Sequence, residues 1–229
     1  VDAVAKRRDK RGVGDAAMRV TTARKAKFDA FKKLAQAETR PIKPERIVAT
    51  LQDVLPGDAI VVCDPGTPCP YFSAFYDQVE TGRHFISNRA HGALGFAMSA
   101  AIGAHFGRPN ATTVAVMGDG SFGMCVGELE TIVRLNLPIT LVVVSNNVFG
   151  WIKAGQKSGY EERYYSVDFS QSDHARIAAA YGVKSWTVEN PADLAGTLRA
   201  AVDVAGPSLV DIVTPPLQEA QAPVSEWVA

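Results

Sequence analysis

The chain has 229 residues, its 24 Lys and Arg balance 24 Asp and Glu, and 47% of it is apolar. That describes one large domain with a substantial core and residues left over for an arm or tail, and zero net charge provides no global field to draw nucleic acid or membrane. Apolar runs all stop short of the ~18 residues of a membrane helix, no signal-peptide pattern opens the chain, and Cys63, Cys69 and Cys125 lack metal-ligand spacing, which suits reduced thiols in a soluble cytoplasmic protein.

The charge is unevenly placed. Residues Val1 to Arg40 hold 12 Lys/Arg against 5 Asp/Glu. No aromatics interleave with "KRRDKR", so a solvated, partly disordered arm explains this segment better than an RNA-binding one. Within it "KAKFDAFKKLAQAE" has helical spacing, and "TRPIKP" then reads as a linker into a main domain over residues 41–216. Pro44 suits the first turn of the next helix, "ERIVATLQDVL". "AIVVCD" is a short strand, "YFSAFYDQV" a helix, "HFIS" a strand and "GALGFAMSAAIGAHFG" a small-residue helix able to pack closely. "TTVAVMGDG" is a strand entering a turn, "GELETIVRLN" a helix and "PITLVVVSNN" a buried strand. "HARIAAAYG" and "ADLAGTLRAAVDVAG" are helices around the strand "KSWTV", and "SLVDIVTP" closes the series.

Apolar strands separated by helices predict an α/β fold, a doubly wound and mostly parallel sheet with helices on both faces. Such sheets bind ligands beyond the carboxyl ends of their strands, at a topological switch point. The polar turns "DPGTP", "GDGS" and "SNN" all fall at such ends and are expected to converge on one crevice. No Walker-type Gly-Lys-Ser/Thr is present, and "GALGFAMSAAIG" does not fit a dinucleotide fingerprint, which disfavours nucleotide hydrolysis and hydride transfer.

One stretch asks for a ligand. Asp119 ends a strand between Gly118 and Gly120, Ser121 opens a helix, and the next strand ends on Asn146 and Asn147. A carboxylate beside free helix amides suits magnesium bridging to phosphate oxygens, with amide oxygens approaching from the other side. The absent object would be a diphosphate. An N-capping turn with polar strand-end residues has the same spacing, and spacing alone does not separate the two.

"GDGS" followed by a helix, a strand and "NN", with "PGT" after the first strand and "HGALGFAMSAAIGA" before the motif, resembles thiamine-diphosphate-dependent enzymes. The resemblance runs from about Pro41 to Pro216 and is to the C-terminal, diphosphate-binding domain of the acetolactate synthase and benzoylformate decarboxylase group. It implies thiamine diphosphate and Mg2+ as cofactors. Asp119 takes the place of the magnesium-binding aspartate. Asn146, rather than Asn147, stands at the family's spacing from it, with Gly150 four positions on; the third ligand is the Val148 carbonyl. Gly120 and Ser121 are implied to bind the diphosphate, with Gly66 and Thr67 opposite. Gly92 would offer its carbonyl to the aminopyrimidine, and Leu94 would be the apolar wedge beneath the bent cofactor, although a core leucine looks identical in sequence. His91 is a candidate to face substrate, with a purely structural role at a helix start as the alternative. Glu128 and Glu130 carry no assigned chemistry.

The resemblance also shows what this sequence lacks. The glutamate that protonates the pyrimidine ring comes from an N-terminal pyrimidine-binding domain, and the residues before the first motif are too few for one. The expectation is therefore one subunit of a heterotetramer or larger split enzyme whose partner supplies the glutamate, or else a fragment of a longer chain. The basic segment resembles the linker entering this domain and is a candidate for packing on the partner. Where pyruvate decarboxylase relatives place a catalytic glutamate, this chain has Ile152, as acetolactate synthase, benzoylformate decarboxylase and 2-hydroxyacyl-CoA lyase have an aliphatic residue. A lyase or carboligase acting on a 2-oxo acid or acyloin-type substrate is the first reading. A subunit of a 2-hydroxyacyl-CoA lyase or oxalyl-CoA decarboxylase-like enzyme is the second, without a recognisable nucleotide site. A regulatory paralogue keeping the fold without chemistry is the third, and the intact "GDGS", Asn146 and Gly92 argue against it. Phe149, Trp151, Tyr160, Tyr164 and Tyr165 are candidates to wall a substrate pocket or to pack in the core. The tail, residues 217–229, is expected to dock Trp227 either as a lid over the crevice or on its own domain's surface.

Overall fold

A computed structural model of the chain describes residues 15–88, 90–216 and 219. The proposed tail lid with Trp227 lies outside these residues, as does the start of the basic arm. Helix α1 (Ala16–Ala35) is followed by α2 (Pro44–Val54), β1 (Ile60–Cys63), α3 (Pro68–Phe75), β2 (Phe85–Ser87) and α4 (Phe96–Gly107). Then come β3 (Thr113–Gly118), α5 (Asp119–Cys125), α6 (Glu128–Arg134), β4 (Ile139–Ser145) and α7 (Gly150–Gly159). The last elements are α8 (His174–Ala180), β5 (Lys184–Val188), α9 (Leu194–Val202) and β6 (Ser208–Val213). The six strands form one parallel sheet in the order β2-β1-β3-β4-β6-β5. This is the α/β architecture expected from the continuous apolar strands.

The sheet is apolar on both faces because successive side chains of each strand point to opposite sides. Val114 and Val116 of β3 and Val142 and Val144 of β4 join one core with Ile47, Leu51, Leu194 and Leu198 of the helices. Ala115 and Met117, with Leu141 and Val143, join the other with Ala97, Met98, Phe122 and Leu129. The small residues Ala97, Ala101 and Ala115 in this second core fit the close packing expected of α4. From β1 the chain goes to β2 on one side and then to β3 on the other. The polar strand ends therefore meet where the winding reverses.

Several boundaries differ from the sequence reading. Helix α1 starts well before "KAKFDAFKK" and is largely exposed; it is held by Phe31, stacked on Phe75 with ring centroids 4.3 Å apart, and by Phe28. Helix α3 starts at Pro68 and stops at Phe75, before "YDQV", where Tyr76 turns extended and Asp77 N–H donates to Gln52. Helix α4 begins at Phe96 and not at "GALG". Gly92 and Gly95 both take positive φ, +70° and +86°, which an L side chain resists, and the buried Asp64 caps the helix from β1 by accepting from Gly95 N–H and Ala97 N–H. Helix α5 begins at Asp119, two residues earlier than Ser121. Helix α7 was not anticipated: "GWIKAGQKSG" contains three glycines, which lower its intrinsic helicity.

Candidate cofactor site

The crevice at the switch point is a cavity of about 260 Å3 lined by two of the three polar strand ends and by the loop residues that follow the third, whose own Ser145, Asn146 and Asn147 do not line it. Pro65, Gly66 and Thr67 come from the end of β1, Gly118, Asp119, Gly120 and Ser121 from the end of β3, and Val148, Phe149 and Gly150 from the loop after β4. Gly92 and Leu94 close one side, and Trp151 and Ile152 of α7 close another. A Cβ added at Gly66 would lie 3.4 Å from Leu94 and 3.8 Å from the Ser121 hydroxyl, so these segments do converge.

Asp119 is the electrostatic centre of the cavity. It is 5% exposed, and its Oδ2 accepts from Asn146 N–H at 2.8 Å and Asn147 N–H at 2.6 Å, while Oδ1 accepts from Gly120 N–H at 2.8 Å. Burial pushes its carboxyl above the usual aspartate value, although those amides and the nearby His174 pull the other way. Among the described residues Asp119 has no ion-pair partner. A buried carboxylate in that condition is a natural seat for a cation.

The two asparagines part company here. Asn146 is 6% exposed; its side-chain N–H lies 3.4 Å from the Thr67 hydroxyl, and its Oδ1 accepts from Val148 N–H at 3.3 Å. It thus spans the β1 and β4 loops. Asn147, at φ +57°, instead lines a second cavity with Phe122, Phe169 and His174. Asp119, Gly120 and Phe149 line both cavities. A Cβ at Gly120 would sit 2.9 Å from both the Phe149 and Phe169 rings, which meet edge to face at 4.4 Å.

The donor set fits a hard cation held partly by a phosphate. Asp119 and the Val148 carbonyl at the cavity, with the Asn146 amide oxygen beside them, are all oxygen donors, and the described residues contain no group of three His, Cys, Asp or Glu able to hold a metal by themselves. Magnesium commonly takes one or two carboxylates and completes its shell with substrate phosphates and water. Gly66, Thr67, Gly120 and Ser121 face the same space.

Of the other candidates, His91 is exposed and does not line the cavity, although its neighbour Gly92 does. Phe149 and Trp151 line it, and Trp151 Nε1–H donates to the Gly66 carbonyl at 3.1 Å. Tyr160, Tyr164 and Tyr165 do not, and Tyr165 is 83% exposed. Glu130 pairs with Arg134 on the surface of α6. Two features escaped sequence reasoning: Asp64, whose cap on α4 fixes the Gly92–Leu94 segment, and a buried Ser145–His174–Asp211 network behind the β4 loop. A carboxylate directly before "PGTP" was a visible signal for the first.

With this geometry in place, comparison with known proteins decides the family. Residues 64–212 match the model of the thiamine pyrophosphate enzyme C-terminal TPP-binding domain. The chain belongs to that family. The acetolactate synthase large subunit of Porphyra purpurea is 33% identical over 180 residues, covering 78% of this chain and 30% of that protein. Acetolactate synthase isozyme 3 large subunit of Escherichia coli K12 is 34% identical over 164 residues, covering 71% of this chain and 28% of that protein. The chain thus spans roughly a third or less of the length of these relatives. In fold it is similar to the Rhodococcus jostii RHA1 thiamine diphosphate-dependent 4-hydroxybenzoylformate decarboxylase, with a TM-score of 0.71 at 22% identity over 80% of this chain and 34% of that one. No helix among the described residues is long and apolar enough to cross a membrane.

Proposed function

We propose that this chain is the diphosphate- and magnesium-binding part of a heteromeric, acetolactate synthase-like lyase or carboligase that acts on a 2-oxo acid or acyloin-type substrate. The reading rests on one observation above all: Asp119 and Val148 share a cavity with Gly66 and Thr67, and Asn146, buried beside it, bonds to both Asp119 and Thr67. Asp119, the Asn146 amide and the Val148 carbonyl would hold Mg2+, and Gly66, Thr67, Gly120 and Ser121 would hold the diphosphate. When bound, thiamine diphosphate supplies an electron sink for the carbon–carbon bond being made or broken.

The chain's own residues orient and shield that group. Gly92 presents backbone, without a side chain, at the cavity wall, and Leu94 gives it an apolar floor. Trp151 and Phe149 exclude water on the α7 side. Ile152 contributes no proton donor or acceptor at its place in the wall, and a proton at the pyrimidine is left to a group from elsewhere. The glutamate of a pyrimidine-binding partner has that role in this proposal.

Calorimetric titration with thiamine diphosphate tests the reading directly. Heat of binding is expected with magnesium and not with EDTA, and Asp119→Ala is expected to weaken binding more than about 100-fold, beyond what loss of an orienting residue causes. Equal binding with and without magnesium, or an indifferent Asp119→Ala, would overturn it.

A further inference from the structure

The loop that carries Asn146 and Asn147 leaves the sheet directly after Ser145, and Ser145 is held by an unusual set of partners. Its hydroxyl donates to Asp211 Oδ1, and it lies 3.1 Å from His174 Nδ1. His174 Nδ1 is also 3.1 Å from Asp211 Oδ2. The Ser145 carbonyl accepts from Thr214 N–H at 2.8 Å and from the Thr214 hydroxyl at 3.2 Å. All four residues are buried, between 2% and 7% exposed. Asp211 lies on an inner strand, paired in register with Val143 on one side and Thr187 on the other.

A serine at the end of β4, a histidine opening α8 and an aspartate within β6 are costly to bury, and an apolar packing of the same volume often stabilises a fold at least as well. A fully satisfied buried network, by contrast, fixes one geometry. This is not a nucleophilic triad, because serine and aspartate both meet the same ring nitrogen, Nδ1. The network touches both ligand loops. It anchors Ser145, whose next two amides reach Asp119. The His174 ring also packs edge-on against Phe122 of α5, the helix that Asp119 begins, with centroids 5.6 Å apart.

We infer that His174, Ser145 and Asp211 are positioning residues that clamp the end of β4, so that the Asn146 and Asn147 amides and the Asn146 side chain meet Asp119 in the geometry that holds magnesium and diphosphate. The metal and diphosphate part of this inference rests on the proposed function; the clamp itself does not. The clamp acts through the strand end and touches neither cofactor nor substrate.

A pair of substitutions at one position separates clamping from filling space. His174→Phe keeps a ring against Phe122 but loses the N–H at the Nδ1 position. His174→Asn gives up the ring but places a side-chain N–H near where Nδ1–H was. In the full chain, amide exchange at Asn146 and Asn147, followed by NMR, is expected to be about tenfold or more faster in His174→Phe, and magnesium-dependent thiamine diphosphate affinity about 10–100-fold weaker, the range for groups that orient metal ligands. His174→Asn is expected to recover most of both losses. The opposite order, with His174→Phe like the unaltered chain and His174→Asn the damaged one, would show that the site needs only a ring and would overturn the clamp. Unchanged exchange at both amides in His174→Phe would overturn it as well. If exchange follows the expected order while the unaltered chain binds no thiamine diphosphate, the clamp stands and the proposed function falls.

Discussion

Adjacent residues with the same side chain have different environments at Asn146 and Asn147. Asn146 reaches the Thr67 hydroxyl of the β1 loop, whereas Asn147 sits at positive φ and lines the second cavity. Both donate their main-chain N–H to Asp119, and an alanine in either position keeps that donor. Only Asn146→Ala removes an oxygen from the proposed metal set. It should weaken magnesium-dependent cofactor binding by at least about tenfold, with Asn147→Ala closer to the unaltered chain; the reverse order in the same titration would move the ligand by one residue. A second residue-scale prediction concerns pH. Glu45 in the first turn of α2 is 4% exposed, and burial raises its carboxyl above the ordinary value, against opposing pulls from its own backbone amide and Lys43. A raised folded-state pKa means that the protonated form is the better fitted one. The contribution is thus fully present below the unfolded value of about 4.3 and is lost as pH rises through the folded value. Glu45→Gln cannot ionise. Urea denaturation at pH 4 and pH 7 should find the variant gaining on the unaltered chain as pH rises, and a pH-independent difference would contradict the assignment.

Among the elements, α4 depends most on a distant residue. Its N-terminus follows Gly95 in a left-handed turn, and its amides are met by Asp64 from β1, at 2.9 Å to Gly95 N–H and 3.1 Å to Ala97 N–H. Asp64→Ala should cost about 1–3 kcal/mol, the cost of leaving buried donors unsatisfied, and thermal denaturation of the variant measures it. Because the same cap fixes Gly92 and Leu94, cofactor affinity should fall along with stability. A long-range cap also shows where sequence reading stops. The strands were legible because a parallel sheet covered on both faces needs unbroken apolar runs, and their polar ends had nowhere to go but the crevice. The start of α4 was not, because its cap lies 31 residues away. Ser145, His174 and Asp211 were invisible for a related reason: they meet only because β6 inserts between β4 and β5, an order the chain sequence does not dictate. The choice of Asn146 over Asn147 came from the family's spacing, since local chemistry treats the two alike.

On the scale of the whole molecule, the proposed function asks for more walls than this cavity has. Apolar groups stand exposed near it: Ile152 on its lining is 52% exposed, and Met124 at the neighbouring cavity is 58% exposed. A bound electron sink left open to solvent would lose its reactive carbon to protonation, so the proposed chemistry needs this face covered. The proton relay points the same way, since no carboxylate other than Asp119 lines the cavity among the described residues and Asp119 is committed to the loop amides. A partner with a pyrimidine-binding domain would provide both the cover and the glutamate. Without it, cofactor should bind through the diphosphate half while turnover stays at least about 100-fold below that of the complex, the smaller end of what a positioned acid–base group contributes. Adding the partner should restore turnover of a 2-oxo acid, and replacing the partner's glutamate with glutamine should remove it without dissociating the complex. Assaying pyruvate consumption with the chain alone, with the partner, and with the glutamine variant separates these cases. Full activity from this chain alone would mean that its own residues handle the pyrimidine proton, and the two-part reading would have to be abandoned.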